Sequence, residues 1–168
     1  MAAIVAAAVV AAVASAASKP PAATFSDREP AFCKGSDIRA VVDDFVTAFN
    51  HGDTYALSVL WVRVRYLWYA VDDGNRAGEA RNHIEFTRLG ALRYFADRHR
   101  HGERLRLSDF RYIGFSAAWG HFRFRVQRRA DDLNRGRWAD YGGVGRVSCL
   151  KGPVGLGSWT MLPAAESA

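Results

Sequence analysis

The sequence predicts an α+β domain in which one curved antiparallel sheet wraps around a long N-terminal helix and leaves a pocket at its uncovered end. Two helices come first, a strand and a third helix follow, and long strands with alternating apolar and polar residues come last. Because the helices do not alternate regularly with the strands, an α+β arrangement is favoured over an alternating β/α one. The length of 168 residues suits one ordinary domain.

Residues 1–17 form an uncharged run of mostly Ala and Val, which indicates an export signal. Ala14-Ser15-Ala16 supplies the pattern of small residues that a signal peptidase recognises. The run is shorter than the stretch of about 20 apolar residues that a helix needs to span a bilayer. It lacks a preceding Lys or Arg, so the question whether Met1 is the true start stays open. We expect a signal peptide over 1–17, location outside the cell or in the cell envelope, and no stable membrane span after processing.

The segment 18–35 is predicted to be a linker, because it holds three prolines and no periodicity. We expect the folded domain over 36–163 and a short tail over 164–168. Cys33 precedes the first helix, and Cys149 lies in a late strand. In an oxidising compartment such a pair predicts a disulfide, and two unrelated buried thiols are the alternative. A metal site is not expected here, because two cysteines without neighbouring His or Asp do not complete a tetrahedron.

Ser36 is predicted to cap the first helix, whose apolar residues recur on one stripe at helical spacing. The stripe consists of Ile38, Val42, Phe45, Val46 and Phe49. Gly52 is expected to end this helix, because glycine adopts the left-handed backbone of a C-cap without strain. Asp53 then caps a short second helix, so the two helices meet across a tight corner.

Runs of aromatic and β-branched residues predict strands on either side of a third helix at 87–101. These strands are expected at 65–71, 82–86, 103–113, 119–129, 141–150 and 154–162.

The strand at 119–129 separates its aromatic residues from its arginines. Phe122 and Phe124 lie on one face and Arg123 and Arg125 on the other, because side chains alternate along a strand. Burying each Phe stabilises the fold by about 1.5–3 kcal/mol, whereas burying an unpaired guanidinium group costs several kcal/mol. We therefore expect the aromatic face to pack on the first helix.

Five short motifs carry a resemblance to a known family. They are 41–53 (VVDDFVTAFNHGD), 66–69 (YLWY), 92–99 (LRYFADRH), 142–149 (GGVGRVSC) and 158–162 (SWTML). With the order of the elements, they resemble the nuclear transport factor 2-like superfamily, particularly its SnoaL-like bacterial branch and an exported subgroup of that branch. The resemblance covers about residues 36–162.

The resemblance implies a cone-shaped sheet, partly closed by helices, with an apolar pocket at its wide end. Members of the superfamily include ketosteroid isomerase-like and dehydratase-like enzymes, polyketide cyclases, transport adaptors and binding domains without chemistry. Because fold alone does not choose among these, the site residues must decide. No acid/base pair of the enzymes aligns with this sequence.

Aromatic residues of the strands are the candidates for the pocket wall, with plain core packing as the alternative. They are Trp68, Phe122, Phe124 and Trp159. Asp109 is the candidate general base, because it follows Leu105 and Leu107 on the inward register of its strand. His83 carries no signal of its own.

The net charge of +6 comes with 20 arginines, which are spread over all predicted elements. This spread favours a solvated surface over a nucleic-acid groove. No motif of a serine hydrolase, a phosphate-binding loop or a dinucleotide site is present, and the five histidines lack metal-ligand spacing. We expect no metal, no cofactor and no nucleic acid.

These observations favour an exported domain that binds a small apolar ligand in a hydrophobic pocket without catalysis. One alternative is an isomerase, dehydratase or cyclase that uses general acid/base chemistry in the pocket. The other is an interaction module that forms a homodimer, or binds an acidic partner, through the outer face of the sheet.

Overall fold

Three helices and six strands make up the part of the chain that the computed structural model describes, residues 33–63, 67–73, 80–150 and 154–164. The predicted signal peptide, most of the predicted linker and most of the tail lie outside these ranges. The helices are α1 (Gly35–His51), α2 (Thr54–Leu60) and α3 (Arg88–Arg100). The strands are β1 (Leu67–Asp73), β2 (Ala80–Glu85), β3 (Arg104–Ser116), β4 (Trp119–Arg129), β5 (Ala139–Ser148) and β6 (Gly155–Pro163). No helix within the described ranges is long and apolar enough to cross a membrane.

The strands form one open, curved sheet in the order β2-β1-β6-β5-β4-β3. All neighbouring strands are antiparallel except β1 and β6, which run in parallel. The expectation of a purely antiparallel sheet is therefore wrong at this one junction. After β2 the chain passes through α3 and starts β3 at the far edge, so the meander from β3 to β6 returns to the sheet beside β1. The α+β class with a curved sheet against the first helix is confirmed.

The helix ends follow local capping chemistry. The Asp37 carboxylate accepts a hydrogen bond from the backbone N–H of Lys34 (2.9 Å), and Lys34 is the N-cap of α1. The prediction of a Ser36 cap is therefore wrong, because α1 begins two residues earlier than that cap would place it. Gly52 ends α1 with φ of 67°, as predicted. Asp53 caps α2 by accepting from the N–H of Ala56 (2.9 Å), and Thr87 caps α3.

The apolar stripe of α1 is buried along its length against the inner face of the sheet. Phe45, which is fully buried, lies at the centre of this contact. Its ring centroid is 4.9 Å from that of Trp159 and 5.6 Å from that of Trp61. On β4 the aromatic residues are buried, whereas Arg123 and Arg125 are exposed, so the predicted register is confirmed.

Two glycines of β5 allow the aromatic rings of β4 to lie flat across the sheet. Gly143 is paired with Phe124 and Gly145 with Phe122 on the inner face. A Cβ atom at Gly143 would lie 2.4 Å from Cζ of Phe124, and one at Gly145 would lie 2.3 Å from Cζ of Phe122. Any larger residue at these two positions would collide with the rings. The glycines of the GGVG segment therefore provide the space in which the rings of β4 pack.

Cys33 and Cys149 are joined by a disulfide, with their Cα atoms 5.5 Å apart. The bond links Cys33, which lies two residues before α1, to Cys149, which directly follows β5. It closes a loop of 116 residues, for which the chain-entropy model gives a stabilisation of about 4.7 kcal/mol.

Replacing both cysteines by serine should therefore lower the free energy of unfolding by up to about 4.7 kcal/mol, because the unfolded chain regains the entropy of the open loop. Denaturant unfolding with and without reductant measures this. Reductant should bring the wild-type protein to the stability of the double variant and leave the double variant unchanged. Equal stability of the two proteins without reductant would contradict the bond.

Candidate functional site

Aromatic side chains fill the interior in which the sequence predicted a pocket. Trp68, Phe122 and Trp159 are fully buried, and Phe124 is 2% exposed. The ring centroids of Phe124 and Trp159 are 3.8 Å apart, and the rings of Trp68 and Trp159 are nearly parallel at 6.1 Å. These four side chains therefore pack against one another in the core, and their role as a pocket wall stays a prediction.

Asp109, the candidate general base, lies on the outer face of the sheet and is exposed. The pairing of β3 with β4 shifts between Leu107 and Asp109, which is the mark of a β-bulge at Ser108. The extra residue moves Asp109 outward, where it is paired with the exposed Arg125, and turns Phe110 inward. The expectation that Asp109 faces the interior is therefore wrong.

A cluster of buried ionic side chains joins the end of α3 to β3 and β4. Glu103 and Arg128 are fully buried, and Arg98 is 5% exposed. Arg128 donates from Nε to Oε1 of Glu103 (2.6 Å) and from Nη2 to Oε2 (3.0 Å). Arg98 donates from Nε to Glu103 and from Nη1 and Nη2 to the carboxylate of Asp132 (2.8 and 2.6 Å).

The charges of this cluster stabilise one another. Burial acts to lower the pKa of Arg98, but its hydrogen bond to Asp132 and the charge of Glu103 outweigh burial and raise it. The same hydrogen bond lowers the pKa of Asp132, against a smaller opposing effect of burial. Both groups thus keep their charge at neutral pH, so the Arg98–Asp132 pair holds the structure together rather than transferring protons.

A histidine and a carboxylate meet at the edge strand β2, on the same side of the sheet as the core. His83 is paired with Ala70 and Glu85 with Trp68, both of which are buried. Nε2 of His83 lies 3.0 Å from Oε1 of Glu85. The two side chains are 33% and 23% exposed, so solvent reaches them.

The ring of Tyr94 on α3 stacks on the His83 ring, with centroids 3.7 Å apart and planes 12° apart. The hydroxyl oxygen of Tyr94 accepts a hydrogen bond from Nη2 of Arg128 (3.3 Å). The His83–Glu85 pair is thereby connected through Tyr94 to the buried ionic cluster. We name His83, Glu85 and Tyr94 the edge site.

Sequence reasoning missed the edge site, although a weak signal exists. His83 and Glu85 are two residues apart in a predicted strand, so their side chains share one face. Nothing in the local pattern shows that Tyr94, which lies on a helix, packs against that face. Within the described residues, no group of three His, Cys, Asp or Glu side chains is arranged to hold a metal.

Comparison with solved structures identifies the fold. A candidate dehydratase of the NTF2-like family from Streptomyces avermitilis superimposes with a TM-score of 0.61 at 13% identity, over 77% of this chain and 95% of its own. An NTF2-like protein with a cystatin-like fold from Novosphingobium aromaticivorans gives 0.57 at 15% identity, over 79% and 83%. A candidate calcium/calmodulin-dependent protein kinase II association domain from Xanthomonas campestris gives 0.61 at 11% identity, over 87% and 99%.

The chain therefore has the nuclear transport factor 2-like, cystatin-like fold that the sequence resemblance implied. No protein-family model matches the chain, and no curated protein matches it. At these identities the likeness identifies the fold alone, because the fold carries many unrelated functions.

Glu103→Gln should lower the free energy of unfolding by about 3–5 kcal/mol, because it leaves two buried guanidinium groups without their shared carboxylate. Asp97→Asn is the matched control, since Asp97 pairs with Arg100 on the exposed side of α3. The control should change stability by no more than about 0.5 kcal/mol. Denaturant unfolding measures both, and a similar small loss in the two variants would contradict the cluster's structural role.

Proposed function

We propose that the protein is an exported small-molecule-binding domain whose ligand contacts the edge site instead of the aromatic interior. The fold is compatible with a ligand-binding pocket, and solved structures of this fold include a candidate dehydratase. The disulfide supports export, because such bonds persist in oxidising compartments. The filled interior favours a ligand with an apolar body and a hydrogen-bonding group over the wholly apolar ligand that an open pocket would accept.

The observation that carries the proposal is the His83–Glu85 pair with its Tyr94 support. Because a carboxylate only accepts hydrogen bonds, Nε2 of His83 is the donor to Glu85. In the neutral imidazole, Nδ1 then carries a lone pair that is able to accept a hydrogen bond from a ligand. The stacked Tyr94 ring restricts the orientation of His83, which lowers the cost of ordering it on binding.

General acid/base chemistry is the second candidate function, and the same pair favours it. An imidazole oriented by a carboxylate is the arrangement of a general base, and the partial exposure of His83 leaves access for a substrate proton. Such a base would remove a proton next to a carbonyl group, which is the first step of isomerisation and of many dehydrations.

The test uses cyclohexanone as a small ligand with a carbonyl group and acidic neighbouring protons. Ring signals of His83 and Tyr94 should shift on its addition in NMR spectra, and His83→Ala should abolish the shift of the Tyr94 signals. His51→Ala is the matched control, since His51 is an exposed histidine on α1 and should leave them unchanged.

Exchange of the cyclohexanone protons into deuterium oxide separates binding from catalysis. If His83 acts as a base, the wild-type protein accelerates exchange, and His83→Gln slows it by about 100-fold or more. Binding without acceleration supports the first function alone. Signal shifts that persist in His83→Ala would contradict both functions at this site.

A further inference from the structure

The outer face of the sheet, opposite the side that packs on the helices, carries a groove of about 440 Å³. Its apolar lining includes Leu67, Ile113 and Val144, which come from three different strands. Its polar lining includes Arg123 and Arg146. A volume of this size lies within the range of about 300–1,000 Å³ that small-molecule sites occupy.

The two arginines are diagonal neighbours on adjacent strands of the outer face, and Val144 lies beside both of them. Arg123 is paired with Val144 across β4 and β5, and Arg146 follows Val144 by two residues on the same face of β5. The guanidinium group of Arg146 lies 4.6 Å from the ring centroid of Trp119, which fixes its position beside the groove. The groove is therefore amphipathic, with two neighbouring cationic groups and apolar side chains around them.

The charge of Arg123 is not neutralised within the described part of the chain, where no carboxylate lies within ion-pair distance of it. Across β3 and β4 its neighbour is Arg111, an exposed arginine on the same face. Like charges directly opposite in a sheet are destabilising. An arrangement that costs stability without a local partner points to an anion from outside the chain.

The histidine of the groove, His121, carries no charge at neutral pH. Burial, and after it the charge of Arg146, lowers the pKa of His121. Nε2 of His121 lies 2.9 Å from the hydroxyl oxygen of Ser116, which holds the ring in place. The positive charge of the groove thus comes from its two arginines.

We propose that this groove binds a free medium-chain carboxylate, with the carboxylate between Arg123 and Arg146 and the acyl chain running from there past Val144 towards Leu67. Guanidinium groups match a carboxylate in charge and in planar geometry. A second copy of the chain is a poorer occupant, because a symmetric interface through this face would bring the exposed arginines of two copies together. The site is on the opposite face of the sheet from the edge site and does not depend on it.

Octanoate is the probe, and calorimetric titration into the full chain measures its binding. Arg123→Gln should weaken octanoate binding by about tenfold or more, since a hydrogen bond to a charged group contributes about 1.5–3 kcal/mol and 1.4 kcal/mol is tenfold in affinity. Arg125→Gln is the matched control: it lies two residues along the same strand and the same exposed face, but it does not line the groove. The control should change the affinity by less than about threefold. Melting temperatures no lower than that of the wild-type protein verify that both variants are folded.

The shape of the ligand provides an independent check. Hexanoate, with two methylene groups fewer, should bind about tenfold more weakly if the chain lies in the groove, since each buried methylene contributes about 0.8 kcal/mol. 1-Octanol should bind much more weakly than octanoate, because it lacks the charge.

Three results would overturn the proposal. One is an equal loss of affinity in Arg123→Gln and Arg125→Gln, which would indicate unspecific attraction by the whole face. Another is equal affinity for octanoate and 1-octanol. The third is the absence of saturable octanoate binding. This result would overturn the proposal even if the chain formed dimers or bound phosphatidylglycerol vesicles.

Discussion

The aromatic rings of β4 lie across the glycines of β5, and the rest of the structure depends on this contact. It lets Phe122 and Phe124 reach Trp159 and, through it, the stripe of α1 around Phe45. It also fixes which face of β4 points outward, because side chains alternate along the strand. One choice of register thus fills the interior with aromatic side chains and places the arginines of β4 in solvent. The side chains that are able to bind a ligand or transfer a proton are therefore found at the edge and on the outer face of the sheet.

The buried ionic cluster fixes the position of α3 relative to the sheet, which the aromatic core alone does not do. Glu103, the residue before β3, binds Arg98 of α3 and Arg128 of β4 at the same time. Because removing one member leaves a buried charge without a partner, the cluster permits one arrangement of these elements and penalises others. Tyr94 receives a hydrogen bond from the same cluster, so the ring that supports His83 is itself held by buried charges. The edge site is accessible to solvent, yet its supporting ring belongs to the buried core of the molecule.

Features that a short segment determines were predictable from the sequence. The stripe of α1 and the alternation of β4 could be derived, because each repeats with the period of its element. The parallel contact of β1 with β6 could not, since it is set by the path of the whole chain. Asp109 was misplaced because a period of two holds only until a bulge, and nothing in the residues around Ser108 marks one. His83 and Glu85 were visible as neighbours on one face, but their significance depends on Tyr94, which comes from another element.

The claim that the described side chains above β5 are packed without an open space between them is tested most directly by comparing two single substitutions of nearby glycines. A Cβ atom at Gly145 would enter the ring of Phe122, whereas one at Gly142 would meet nothing within 4 Å. By denaturant unfolding, Gly145→Ala should lower the free energy of unfolding by about 1–3 kcal/mol through overpacking. Gly142→Ala should stay within about 0.5 kcal/mol as a surface change. If Gly145→Ala is tolerated as well as Gly142→Ala, the space above β5 is open and the account of a filled interior is wrong.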